Sequence, residues 1–214
     1  MIHPETALRW VDDTIGYGVF ATRPIPRGTI VWVRDPLDQP YTQEMAAQLP
    51  PLSREMLSRY SYVNRDGEML LCWDHGRYVN HSCAASCITA GWEFEIAVRD
   101  IAVGEELTDE YGTFSIDESF RCACGTAACR GMIHPDDVFR YGDAWDRTFR
   151  EVFLEATPRV EQPLWSLVVE REEVELALAG KLTPPSCRVH VRPDYVARWR
   201  DRAPAMQVPQ QAAM

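Results

Sequence analysis

Arg77-Tyr-Val-Asn-His-Ser-Cys-Ala84 is the stretch on which the reading of this chain turns. An isolated Asn-His pair marks a turn more often than a site. This one has company: Glu106-Leu-Thr-Asp-Glu-Tyr111 follows it, and then Cys122-Ala-Cys-Gly-Thr-Ala-Ala-Cys129. Three separated motifs in one order are much harder to obtain by chance than one.

The surrounding chain sets the class of molecule. Its 214 residues, 46% of them hydrophobic, suffice for one substantial domain with an appendage. No run of 18 apolar residues occurs, so no membrane-spanning helix is expected. The start, Met1-Ile-His-Pro-Glu5, has no basic segment leading into an apolar stretch, so no signal peptide is expected and the cytoplasm is the expected location. A net charge of −10 disfavours direct nucleic-acid binding and suits a basic protein partner. Lys181 is the one lysine among many arginines, which together with abundant Ala and Pro points to a GC-rich, bacterial-type genome. Seven cysteines, an odd number without a secretion signal, argue against a disulfide framework and for metal.

Read outward from the central motif, the N-terminal part is strand-rich. Ala7–Val11, Val19–Ala21 and Thr29–Val33 are apolar, β-branched or aromatic runs, with turns expected at Gly16-Tyr-Gly18 and Pro24–Gly28. Prolines 36, 40, 50 and 51 bracket two short helical patterns, about 42–48 and 52–59, in an insertion at about 35–60. Met69–Trp73 returns to strand. Trp92–Val98 alternates with period two and predicts a half-buried strand, and a turn at Gly104 precedes another. Val138, Tyr141, Trp145, Phe149 and Val152 then recur at helical spacing. A further helix is expected over about 164–179, stopped by Gly180, with a last one over 195–202 and a disordered tail from 204 to 214.

Cys122, Cys124 and Cys129 supply three thiolates within eight residues. Tetrahedral zinc takes four nitrogen or sulfur ligands, so one more must come from elsewhere. Cys72 and Cys187 read as core thiols. No Gly-x-Gly-x-x-Gly follows a strand, which disfavours a nucleotide-binding α/β fold.

Together the motifs resemble the SET-domain protein lysine methyltransferases with a post-SET zinc tail. The resemblance covers about residues 6–133. It rests also on Gly16-Tyr-Gly18 followed by Val-Phe-Ala-Thr and Ile-Pro-Arg-Gly, and on Arg130-Gly131 behind the last cysteine. It implies a mainly β fold, a β-clip of short curled sheets with a knot-like crossing at Asn80-His81, plus C-terminal α-helices. It divides the chain into a SET domain (1–114), a zinc-binding post-SET segment (115–133) and a helical extension (134–203). It implies S-adenosylmethionine and zinc as cofactors. Gly16, Tyr17, Gly18, Asn80, His81 and Tyr111 would meet the former, and Cys83, Cys122, Cys124 and Cys129 would hold the latter. Cys87, four residues after Cys83, is the alternative fourth ligand.

Tyr111 matches the family's catalytic tyrosine. Methyl transfer is an in-line displacement at a sulfonium carbon and needs a neutral amine, whereas a free lysine has a pKa of about 10.4. A desolvated channel penalises the ammonium and lowers that value. The Tyr111 hydroxyl can orient the amine, with most of the rate coming from alignment and electrostatics. Two residues depart from the pattern. Glu110 stands where the family has Asp. Asp109 stands where it often has Phe or Tyr, and would hold a water, favour a protonated lysine, or point elsewhere. Tyr78 lines the substrate channel or packs in the core, and so do Trp73, Trp92 and Phe114. Arg77 and Glu106 read as a structural pair. The expected activity is methylation of a lysine side chain exposed on a basic protein. The alternative is a catalytically weak zinc module that binds such a partner. The C-terminal helices would cover the peptide groove or form a homodimer face.

Overall fold

A computed structural model describes residues 1–89 and 91–194. The chain opens with β1 (Thr6–Asp12) and β2 (Gly16–Ala21), an antiparallel hairpin in which Thr6 faces Ala21 and Trp10 faces Tyr17. Asp12 sets the turn: its Oδ1 accepts the backbone N–H groups of Thr14 and Ile15, both at 2.8 Å. A carboxylate that caps the next residues in this way imitates a backbone turn. The turn thus lies at residues 13–15, and Gly16–Gly18, expected to form it, is instead the first half of β2. Gly18 is demanded by packing, because a Cβ there would run into the Glu106 carboxylate.

β3 (Ile30–Val33) is buried at all four positions. The proline-bracketed insertion forms β4 (Gln39–Tyr41), α1 (Gln43–Gln48), α2 (Pro51–Tyr60), β5 (Ser61–Val63) and β6 (Met69–Leu71), with β6 between β4 and β5 in a small sheet. Thr42 caps α1 by accepting the Met45 N–H at 3.2 Å, and Pro51 opens α2, where a missing N–H costs nothing. Four short strands follow: β7 (Asn80–His81), β8 (Cys87–Thr89), β9 (Phe94–Ala97) and β10 (Glu106–Asp109). The remainder is the pair β11 (Phe120–Arg121) and β12 (Met132–Ile133), then α3 (Asp137–Glu155) and α4 (Arg171–Leu178).

Two sheets position the site. One runs β1-β2-β10-β7, and its last pair is parallel, with Thr108 opposite Asn80 and Asp109 opposite His81. The other runs β3-β9-β8. Its central strand corrects the expectation of a half-buried element: all four positions of β9 are buried, Glu95 included at 8% exposure. Phe94 and Ile96 face a core completed by Phe149, Val152 and Phe153 of α3. Ala97 faces a second core with Val19, Trp32 and Leu107. A strand covered on both faces has no wet side for its alternate residues.

Helices take a larger share than a mainly β description suggests, since α3 alone has 19 residues. The expected helix at 164–179 is shorter. A 3₁₀ turn at Trp165–Leu167 precedes α4, and the break falls where Val168 is buried and the Glu170 carboxylate turns to the Glu93 N–H. Gly180, at φ +70°, ends α4 as expected. Among the described residues no helix is long and apolar enough to cross a membrane. The expected helix at 195–202 and tail at 204–214 lie outside the described residues.

Gln162 fastens the C-terminal region to the sheet. Its Oε1 accepts the Ile30 N–H at 2.8 Å, and its Nε2 donates to the Gly28 and Thr157 carbonyls at 2.9 and 3.0 Å. Gln162→Leu strands these backbone groups and is expected to cost about 1–3 kcal/mol. Urea unfolding measures it, and an unchanged midpoint would mean that water replaces the amide.

Candidate active site and metal centre

The Sγ atoms of Cys83, Cys122, Cys124 and Cys129 lie within 4.8 Å of one another. Cys83 comes from the turn after β7; the other three lie between β11 and β12, and the Cys122 N–H bonds the Gly131 carbonyl at 2.9 Å to close their loop. A tetrahedral ion bound at about 2.3 Å requires sulfurs ~3.8 Å apart. Cys83 and Cys122 stand at 3.7 Å. The donor set therefore fits a thiolate-bound metal such as zinc. Cys87 lies outside the cluster, 1% exposed on β8, and Cys72 and Cys187 are buried likewise.

β7 and β10 bring Asn80, His81 and Tyr111 together. The Asn80 Nδ2 donates to Glu106 Oε1 at 2.7 Å and to the Tyr17 carbonyl at 3.0 Å. That uses both amide hydrogens and leaves Oδ1 to receive a donor. Glu106 thus serves Asn80, whereas Arg77 lies over the Tyr78 ring at 5.5 Å; no Arg77–Glu106 pair forms among the described residues. His81 Nδ1 lies 3.2 Å from the Tyr111 N–H and Nε2 lies 3.4 Å from Cys83 Sγ. Burial lowers its pKa in spite of Glu110 nearby, so the imidazole is neutral. Nδ1 also lies 3.1 Å from the Asp109 carbonyl oxygen, so a proton on Nε2 would face the sulfur while Nδ1 accepts the Tyr111 N–H, and a proton on Nδ1 would instead be donated to Asp109. This ring joins the metal cluster to the Tyr111 segment, as imidazoles beside metal ligands commonly do.

The Tyr111 hydroxyl donates to the Val79 carbonyl at 2.7 Å. Burial, with Asp109 and Glu95 adding to it, pushes the phenol's pKa up, so it stays neutral. Tyr111 lines a cavity of about 380 Å³, with Trp32, Tyr62 and Phe114 among its aromatic walls. Tyr62 stacks on Phe114 with ring centroids 5.3 Å apart, and Phe114 leans on Tyr111 at 5.9 Å. Asp109 and Glu95 also line it. They are 2% and 8% exposed, and each acts on the other's titration. Burial raises both carboxyls, Glu95 to about 7, so the pair retains a proton near neutrality. Trp92 is in this wall, but Trp73 is not: its indole N–H is spent on Asp35 at 2.8 Å. Tyr78 also stands outside the wall, edge-on to Tyr17 and Tyr60 at 5.9 and 5.0 Å.

Arg130 bolts the cysteine loop down. Its two Nη atoms donate to the two Glu110 oxygens at 2.8 and 2.7 Å, and its Nε lies 3.4 Å from Asp137. Its backbone N–H points at Cys83 Sγ at 3.3 Å. The guanidinium also lies over the Tyr141 and Trp145 rings of α3, at 5.2 and 5.6 Å. Burial opposes its charge, and the Glu110 and Asp137 carboxylates more than offset that.

Glu95, Tyr62 and the role of Arg130 escape a reading of the sequence. Glu95 sits in an alternating run where the charged positions look solvent-facing. Arg130 follows Cys129 directly, but nothing in the sequence pairs it with Glu110.

Comparison with known proteins adds to this geometry. Residues 16–112 match the family described as the SET domain. Histone-lysine N-methyltransferase ATX2 of Arabidopsis thaliana is 33% identical over 144 residues, 58% of this chain and 12% of that protein. Histone-lysine N-methyltransferase ash1 of Drosophila melanogaster is 31% identical over 138 residues, 58% of this chain and 6% of that protein. The chain thus spans a small fraction of the length of these relatives. A solved structure described as a Plasmodium falciparum "putative histone methyltransferase" aligns over 51% of this chain and 95% of that one, at 18% identity and a TM-score of 0.38. Residues 16–112 of this chain thus match the SET-domain family, and the chain is similar in sequence to histone-lysine N-methyltransferases.

Proposed function

We propose that this chain transfers a methyl group from S-adenosylmethionine to a lysine side chain of a basic protein. The observation that carries the reading is the cavity that ends at Tyr111. Aromatic faces and buried carboxyls form a receptor for an alkylammonium. The Tyr111 hydroxyl bonds Val79, the residue next to Asn80, so the end of the amine cavity adjoins the strand that would receive the cofactor.

S-adenosylmethionine would supply the electrophilic methyl. The free Asn80 Oδ1 suits the cofactor's α-ammonium, with Gly16–Gly18 and His81 beside it. The parallel β7–β10 pair supports the knot-like crossing. Cys83, Cys122, Cys124 and Cys129 would hold zinc, making 115–133 a stapled segment beside that strand. Tyr111 keeps its proton and offers its hydroxyl lone pairs to the amine, fixing its direction of attack. Aromatic walls exclude bulk water from the bound side chain. The net charge of −10 suits a basic substrate.

The test combines labelled S-adenosylmethionine with core histones and a lysine-centred peptide library. Turnover is expected, and Tyr111→Phe should lose about 100-fold or more with folding intact. Calorimetry should show cofactor binding that Asn80→Ala abolishes. No binding by folded, zinc-loaded protein would favour the binding-module reading instead.

A further inference from the structure

We propose that the carboxyl pair of Glu95 and Asp109 is the proton acceptor that turns the bound lysine ammonium into the attacking amine. The inference rests on the methyltransferase reading above and adds catalytic residues to it. Both side chains are more than nine-tenths buried, both line the cavity that holds the Tyr111 hydroxyl, and they come from different sheets, β9 and β10. Two carboxyls buried in one wall repel each other's negative charge, which favours one proton between them.

The step balances without another reagent. An N–H bond of the ammonium breaks and its electron pair stays on nitrogen. The proton passes to a carboxylate oxygen of the singly ionised pair, whose charge goes from minus one to zero. The freed lone pair forms the new nitrogen–carbon bond as the methyl's bond to sulfur breaks and its electrons remain on sulfur. The pair returns its proton to water between turnovers. An acceptor titrating close to the working pH is suited to this task.

Several other groups facing the pair are held outside the neutral range or in ion pairs. The Cys72 and Cys87 thiols and the Tyr111 phenol are all pushed up by burial. The Glu110 carboxylate is bound by Arg130, and the Met1 ammonium by Asp35. Glu93, Asp117, His190, Arg59, Arg77, Tyr60 and Tyr62, the last pushed up by burial, are the remaining charged or titratable groups of the cavity wall.

The test is the pH–rate profile, from pH 6 to 10, of wild type, Glu95→Gln and Asp109→Asn on the most active library peptide. Each amide variant should lose about 100-fold in kcat at pH 7. Each should recover as the pH approaches about 10, where lysine deprotonates in water, with KM for S-adenosylmethionine unchanged. A rise in peptide KM with kcat and pH profile unaltered would make the pair a fixed counter-charge and overturn the proposal. Absence of wild-type turnover on every substrate would instead overturn the methyltransferase reading, and this inference with it. If neither variant folds, carboxyl carbon-13 titration of wild type decides. One proton lost from the pair between pH 6 and 9 supports the proposal, and none lost overturns it.

Discussion

A Cys122→Ser protein is expected to purify with far less than one zinc per chain and to be cleaved rapidly by protease between Phe120 and Ile133. Apart from Arg130 and the two-residue pairing of β11 with β12, the segment has little else to order it. Ile133 is buried, but Met132 is 38% exposed, and nothing lies within 4 Å of a Cβ built at Gly125 or Gly131. Structural zinc sites supply about 10–16 kcal/mol of apparent binding free energy in small modules, and there metal binding is folding. Replacing one of four thiolates should forfeit most of that. The loss should reach β7, the strand proposed to receive the cofactor, because Cys83 lies two residues from His81, whose ring faces its sulfur. Metal analysis, limited proteolysis and calorimetry with S-adenosylhomocysteine read the three consequences. A zinc content near one in the variant, or identical proteolysis of chelated and zinc-loaded wild type, would rule out the assignment.

Arg130→Ala is expected to cost about 3–5 kcal/mol, the usual effect of removing one partner from a buried ion pair. The Glu110 side chain is 3% exposed and would be left ionised without its fork of donors. Arg130→Lys should recover little, since an ammonium cannot engage both carboxylate oxygens in parallel while lying over the Tyr141 and Trp145 rings. Glu110→Gln in the Arg130→Ala background should restore part of the stability by removing the stranded charge. Urea midpoints of the four proteins form the cycle. A cost below about 1 kcal/mol would show the pair screened as a surface bridge is.

The parts of this molecule legible in the sequence are those whose physics is local. Prolines 40, 50 and 51 with Thr42 place α1 and α2, because a cap and a missing N–H act within one turn. The spacing of Cys122, Cys124 and Cys129 announces a metal cluster for the same reason. Cys83 joins that cluster only through chain folding, and a family resemblance, rather than spacing, singles it out from Cys87. Where tertiary context decides, local reading fails. Gly16-Tyr-Gly18 has the composition of a turn, yet Asp12 makes the turn first and the glycines enter β2. Glu95 occupies the position where an alternating strand puts its wet residues, but β9 has a core on each side. The meeting of Glu95 with Asp109, like that of Arg130 with Glu110, depends on which strands are neighbours, and hydropathy does not encode that.

The parallel union of β7 with β10 also bears on time. Two parallel strands cannot be joined by a tight hairpin, so the chain must travel out and return before Asn80 and Thr108 can pair. β10 must also find β2, far back along the chain. Contacts so distant in sequence exact their loop-closure entropy before they return any stabilisation, which slows folding. Asn80, His81 and Tyr111 belong to these late contacts. A nascent or half-folded chain therefore contains no version of the site, and the capacity to act arrives only with the completed architecture.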